Sequence, residues 1–235
     1  MAIASLRAIG KRLITHDCLL CAGFSGDQPV CPDCERTLPV LSAGCPVCAL
    51  PGPAGHVCGK CLAKAPHFDR TFASWRYEFP VDHLIQSFKF HRHLELAPWF
   101  ARHLAPMGPV SGAVIIPMPL HRARLAERGF NQALEISRHL AAVTGWTLLS
   151  DAIVKLRETP AQAEMPLASR AANVRNAFRC VAKLDGKSTI VVDDVMTTGA
   201  SLNELAKTLK RSGGGPIVNI VLARTPPPGE STTSL

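Results

Sequence analysis

Eight of the nine cysteines stand in four CxxC pairs, Cys18/Cys21, Cys31/Cys34, Cys45/Cys48 and Cys58/Cys61, with nine, ten and nine residues between successive pairs. A CxxC step turns two thiolates toward one ion, and two such steps close a tetrahedral zinc site. A single pair would suit a redox motif equally well. Four at near-constant spacing, in a chain with no secretion signal, predict metal and not disulfides. Two closures satisfy the spacing. Sequential closure joins 18, 21, 31, 34 and then 45, 48, 58, 61; interleaved closure joins the first pair with the third and the second with the fourth. The sequential form is favoured, because shorter loops cost less entropy to close. Zn²⁺ is expected at both sites, with iron the less suitable ion for a repeating thiolate module. Each site would contribute on the order of 10 kcal/mol to folding. The segment needs that contribution, since its apolar residues are sparse and Pro29, Pro32, Pro39, Pro46, Pro51 and Pro53 prevent long elements. His16 and His56 lie near cysteines, but four thiolates already complete each set. Cys180, in "AFRCVA", reads as a small core residue.

Charge is unevenly placed along the chain. Up to Pro66 there are 6 basic and 4 acidic residues. Eight ionised thiolates and two Zn²⁺ turn that segment's formal +2 into −2, which argues against it as the main DNA-gripping surface. From His67 to Gly186 there are 15 basic and 10 acidic residues, grouped around Arg122, Arg124 and Arg128 and again around Arg157, Arg170, Arg175 and Arg179. Such a middle suits either nucleic acid or a small polyanion. An aromatic content of 6% weakens the case for base-stacking platforms. No run of 18 apolar residues exists, so no membrane span is expected. Ile3, Leu6, Ile9 and Leu13 follow helical spacing and predict a short amphipathic helix in place of a targeting peptide. The expected location is the cytoplasm.

Beyond Pro66 the pattern changes to alternating elements. "FASWRYEF" predicts a strand, and "VDHLIQSFKF" predicts a helix burying Val81, Leu84, Ile85 and Phe88. "GAVIIP" reads as a buried strand stopped by proline. "RGFNQALEISRHLAAVTG" places Phe130, Ala133, Ile136, Leu140 and Val143 on one helical stripe, with Gly145 as C-cap. "TIVV" and "IVNIVLA" predict strands, and "LNELAKTLKRSGG" a helix turning Leu202, Leu205 and Leu209 inward. The fold class is therefore α/β, a mostly parallel sheet flanked by helices and preceded by a small zinc-ribbon domain. The expected divisions are 1–66, 67–225 and a disordered tail at 226–235.

Within that frame, "TIVVDDVMTTGAS" (189–201) ends a strand at residue 192, sets Asp193 and Asp194 side by side, and runs through small and hydroxyl residues into a helix near Ser201. Ligands of open α/β sheets bind beyond the carboxyl ends of the strands. A helix N-terminus attracts phosphate, and small residues let it approach the backbone. The loop has neither the lysine of a Walker A motif nor a dinucleotide glycine fingerprint. Two adjacent carboxylates suit paired sugar hydroxyls.

"VVDDVMTTGAS" resembles the phosphoribosyl-pyrophosphate (PRPP) loop of type I phosphoribosyltransferases. Taken with "PMPLHRARLAERGFNQA" (117–133), "RETPAQAEMPLASRAANVRNAF" (157–178) and the cysteine-paired start, the chain is similar to the ComF competence-protein family from about Leu13 to Arg224. The resemblance implies a double zinc ribbon joined to a type I phosphoribosyltransferase fold. It implies that Asp193 and Asp194 hold the ribose hydroxyls, as the catalytic pair, and that Val195, Thr197, Thr198, Gly199, Ala200 and Ser201 complete the PRPP loop around the 5′-phosphate. Pro119, His121, Arg122, Arg124, Arg128 and Gly129 would line the pyrophosphate side. Thr159, Gln162, Arg170 and Asn173 would belong to a closing loop. Met118 and Met165 depart from the family's usual valine and leucine. Mg²⁺ would accompany PRPP, bridging pyrophosphate and ribose oxygens as a hard cation does. His121 reads as a phosphate contact or structural residue in preference to a proton carrier, and Lys89 fits either the site or a solvated helix face. Two classes of function follow: a transferase with an unidentified acceptor, or a PRPP-sensing or single-stranded-DNA-binding competence factor. A DNA-translocation ATPase is the partner the family suggests.

Overall fold

The computed structural model describes residues 16–105, 112–157 and 174–226. The N-terminal amphipathic helix, the tail from 227, and Thr159, Gln162, Met165, Arg170 and Asn173 of the expected closing loop lie outside the described residues.

The cysteine-rich start folds as one unit twice over. Strands β1 (His16–Asp17) and β2 (Phe24–Gly26) pair antiparallel around the Cys18–Cys21 turn. The one-turn helix α1 (Pro32–Arg36) begins at Cys31, with proline at its first turn, where a missing N–H costs nothing. The second copy sits 27 residues on, from Cys18 to Cys45 and from Cys34 to Cys61. Its helix α2 (Gly59–Ala63) begins at Cys58, as α1 begins at Cys31. The turns match bond for bond: Ala22 N donates to Cys18 O and Ala49 N to Cys45 O, both at 2.8 Å. Ala22 and Ala49 both take the left-handed conformation (φ 57° and 53°).

The body of the molecule is a sheet of five parallel strands. In chain order come β3 (Arg70–Arg76), α3 (Val81–Phe90), α4 (Leu96–Leu104), β4 (Val114–Pro117), α5 (Arg122–Arg128), α6 (Gln132–Thr144) and β5 (Thr147–Leu148). The short strands β6 (Ile153–Lys155) and β7 (Phe178–Cys180) form a separate antiparallel ribbon. Then follow β8 (Thr189–Met196), α7 (Ala200–Arg211) and β9 (Ile217–Arg224). The sheet order is β3-β9-β8-β4-β5, every pair parallel.

Side chains alternate across it as the two-residue period of a strand demands. Ile115, Ile190, Val192, Ile220 and Leu222 share a core with α3, α4 and α6. Val114, Ile116, Val191 and Val221 share the opposite core with Leu202, Leu205 and Leu209 of α7. The two cysteine units divide between these cores. Cys18 and Cys31 are buried in the first, Cys45 and Cys48 in the second. The chain between them crosses the outer edge of β3: Leu41 N donates to Ser74 O, and Arg76 N donates to Pro39 O. This covers an edge that would otherwise offer unpaired backbone groups.

Two expectations are corrected. Asp193 and Asp194 do not follow the strand but lie inside it, since the ladder to β9 runs on to Met196↔Arg224. Val143 is exposed, because the buried stripe of α6 ends at Leu140. The 117–129 segment contains α5, which buries no residue.

Candidate functional site

Beyond the carboxyl ends of β8 and β4 lies a cleft of about 450 Å³, lined in part by Asp193, Asp194, Arg124, Arg128, Lys89 and Lys155. Strand alternation sets the two aspartates on opposite faces, Asp194 with Val192 and Asp193 with Val191. Each meets a lysine. Lys89 of α3 reaches Asp194, Nζ to Oδ2 at 2.9 Å, with both side chains mostly buried. Lys155, at the end of β6, acts on Asp193. Burial and the neighbouring Asp194 push the Asp193 carboxyl up to about 7; the Asp194 amide, which donates to Asp193 Oδ1 at 2.9 Å, and the two lysines oppose the rise. The neighbouring charge and burial therefore disfavour the ionised form of Asp193.

The turn after β8 is held for close approach. Gly199 adopts φ +79°, and a Cβ there would collide with Met196 Cε. It begins α7, a helix of twelve residues, and Thr197, Gly199 and Ser201 line the cleft. The positive end of that helix dipole therefore borders the same space as the carboxylates.

The opposite wall shows what "RGFNQ" does. Gly129 ends α5 in the left-handed conformation (φ +79°) with its face against Arg92. Phe130 packs on Phe88, ring centroids 5.5 Å apart. Asn131 caps α6 by accepting from Leu134 N, and donates through Nδ2 to Met118 O at 3.1 Å, closing the 118–131 loop on itself. Gln132, fully buried, accepts from Arg128 Nη1 at 3.2 Å. Arg128 also lies over the Phe90 ring at 5.3 Å. Five consecutive residues thus turn, pack, cap, tie and aim one arginine at the cleft.

Of the residues singled out from sequence, Asp193, Asp194, Val195, Thr197, Gly199, Ser201, Pro119, Arg124 and Arg128 line the cleft. Thr198 and Ala200 stand beside them in the turn, where Thr198 Oγ1 accepts from Ala200 N. His121 is the N-cap of α5, accepting from Ala123 N at 3.4 Å, and Arg122 is exposed; neither is among the lining residues, nor is Gly129. Tyr77, Gln86, Phe90 and Lys155 line the cleft without having been singled out. Gln86, Lys89 and Phe90 stand at helical spacing i, i+3, i+4, which puts them on one face. That spacing is the signal in the sequence that places them together.

The cysteines close sequentially. Cys18, Cys21, Cys31 and Cys34 bring their sulfurs within 4.8 Å of one another, and so do Cys45, Cys48, Cys58 and Cys61. Cys21 and Cys31 sulfurs are 3.8 Å apart and those of Cys48 and Cys58 3.6 Å. A tetrahedron with Zn–S bonds of about 2.3 Å has edges of about 3.8 Å, so each set fits zinc as it stands. Backbone amides help ionise the thiols. Burial pushes the Cys18 thiol up, but the amides of Cys31, Cys21 and Leu20 outweigh it and hold it at about 6; Cys45 is held at about 7 in the same way by Cys58, Cys48 and Val47. Burial and the neighbouring sulfurs raise Cys34 and Cys61 well above the usual thiol range. Four thiols this close ionise together only around a cation. His56 is in neither set; its Nδ1 lies 3.0 Å from Ala54 O.

Residues 11–62 match the double zinc ribbon domain. The chain is 32% identical over 209 residues to the DNA utilization protein YhgH of Escherichia coli K12, covering 85% of this chain and 92% of that one. Competence protein F of Haemophilus influenzae is 30% identical over 171 residues, 66% of this chain and 73% of that one. Competence protein ComFC of Bacillus subtilis is 25% identical over 201 residues, 80% of each. The chain belongs to the ComF family. Among solved structures, the UMP synthase of Leishmania donovani matches with a TM-score of 0.36 and 18% identity, over 57% of this chain and 23% of that one. A hypoxanthine phosphoribosyltransferase of Staphylococcus aureus matches with a TM-score of 0.33 and 8% identity, over 60% and 67%. Likeness at that level says nothing about a ligand.

Proposed function

We propose that the cleft binds PRPP with Mg²⁺, and that the protein acts in the cytoplasm in the uptake or use of DNA, the role carried in the names of its relatives. One observation carries the ligand assignment: a carboxylate pair within the carboxyl-terminal half of β8 shares a cleft with the Gly199 turn and two arginines. Asp193 and Asp194 would accept hydrogen bonds from the ribose hydroxyls. The turn from Thr197 to Ser201 and the α7 N-terminus would take the 5′-phosphate, and Arg124 and Arg128 the pyrophosphate. Mg²⁺ would neutralise pyrophosphate charge, and the oxygen-rich Asp193–Asp194 end of the cleft suits such a hard cation. A site so built needs positioning and charge neutralisation more than a covalent nucleophile. The proposal is a binding function; transfer to an acceptor is the further step that a bound PRPP would allow.

Thermal denaturation tests it. PRPP with Mg²⁺ at a hundred times its Kd should stabilise the fold by about 2.7 kcal/mol, and Asp193→Asn/Asp194→Asn should remove the shift. A shift produced by single-stranded oligonucleotide and none by PRPP would replace this reading with a DNA-binding one.

A further inference from the structure

Arg224 is the last residue of β9 and is 5% exposed. A guanidinium so placed must satisfy its donors within the protein. Its Nε donates to Cys48 O at 2.9 Å. Its Nη1 donates to Met196 O at 2.9 Å, to Thr225 O at 2.8 Å, and to Thr197 O. Cys48 is a ligand of the second tetrad, and Met196 and Thr197 open the turn that carries Gly199 and Ser201 into the cleft. One buried side chain therefore clips a zinc ribbon to the phosphate turn.

Charge makes the same connection. Four thiolates around a divalent ion carry a net −2, and Cys48, Cys58 and Cys61 all act on Arg224. With zinc in the second tetrad, that centre would supply a compensating anion for the buried guanidinium. Removing that centre would leave a buried charge without a partner, an arrangement far costlier than an exposed one. Among the described residues the first tetrad has no such path. Cys18 and Cys31 are buried in the opposite core, with Val30, Leu38 and Trp75.

We infer that Arg224 is a positioning residue of the cleft, and that metal at the second tetrad, acting through the Cys48 carbonyl and through its charge, holds the 196–201 turn in its binding shape. The first tetrad does not. The two ribbons are therefore unequal: the second is part of the ligand site. The consequence for PRPP affinity rests on the function proposed above, while the consequence for the turn stands without it.

Hydrogen exchange on the zinc-loaded full chain separates the two. Arg224→Lys keeps the charge but loses the planar fork, and Arg224→Met loses both. Exchange of the 197–201 amides should rise in the lysine variant and rise further, at least tenfold, in the methionine variant, with the β4 amides at 114–116 unchanged. Cys45→Ser/Cys48→Ser should loosen the same turn, and Cys18→Ser/Cys21→Ser should leave it as in the wild type. If Arg224→Met unfolds, Arg224→Lys decides. Wild-type exchange at 197–201 in the lysine variant would overturn the inference, as would equal loosening by the two cysteine variants. In parallel, PRPP–Mg²⁺ titration should show at least tenfold weaker binding by Arg224→Lys. Failure of the wild type itself to bind would sink the proposed function and leave the exchange result to judge the clip.

Discussion

Asp193 is half-buried beside a second carboxylate, and its pKa near 7 makes it a reporter on the cleft. In the unfolded chain the same group titrates near 3.8. The folded state therefore binds the proton more tightly, and its contribution to stability is present below the unfolded value and is lost as pH rises toward about 7. Between pH 5.5 and 7.5, where the zinc sites hold, the Tm of the Mg²⁺-free protein should fall more steeply than that of Asp193→Asn. Parallel curves would contradict the assignment. Lys89→Met removes a cation that lowers the Asp193 pKa, so the midpoint of that difference should move to higher pH. Gly199→Ala should cost about 1 kcal/mol for a left-handed non-glycine residue and should reduce PRPP binding more than it reduces stability.

The elements read from sequence were those with a buried face. Val81–Phe90, Gln132–Thr144 and Ala200–Arg211 each bury an apolar stripe, and Val114–Pro117 is buried throughout. Each pattern is imposed by the core and so is visible before folding. Helix α5 buries nothing and therefore has no periodic signal. Helix α4 is apolar nearly all round and carries Pro98 in its first turn, which hides its period. The strand length around Asp193 and Asp194 depends on register with β9, a long-range pairing that local residues do not encode. Within "RGFNQ", Asn131 serves as both cap and tie. Asn131→Ala should cost about 1 kcal/mol as a lost cap. It should also raise exchange across 118–131, which a cap lost elsewhere on the surface would not do.

For the whole molecule, the cysteine spacing identified the metal ligands, but not that the two tetrads would enter opposite cores of one sheet. That placement sets the consequence of chelation. Each site is worth on the order of 10 kcal/mol to the folding of its own ribbon. The purified chain should carry two zinc ions by elemental analysis, and stripping them should unfold the ribbons and lower the Tm of the sheet they cover. An unchanged Tm in the zinc-free protein would contradict this. The Trp75–Trp99 stack, 5.6 Å between centroids, lies where the β3 edge meets α4 in the first core. Trp99→Ala should cost about 3–5 kcal/mol.

If the cleft holds PRPP through Asp193 and Asp194, binding must depend on both carboxylates. Isothermal titration of PRPP with Mg²⁺ into zinc-loaded protein, beside the Asp193→Asn/Asp194→Asn variant, measures this. PRPP should bind at micromolar strength, about −8 kcal/mol, and the binding should disappear in the folded variant. No heat from the folded wild-type protein, or equal heat from both, would contradict that reading.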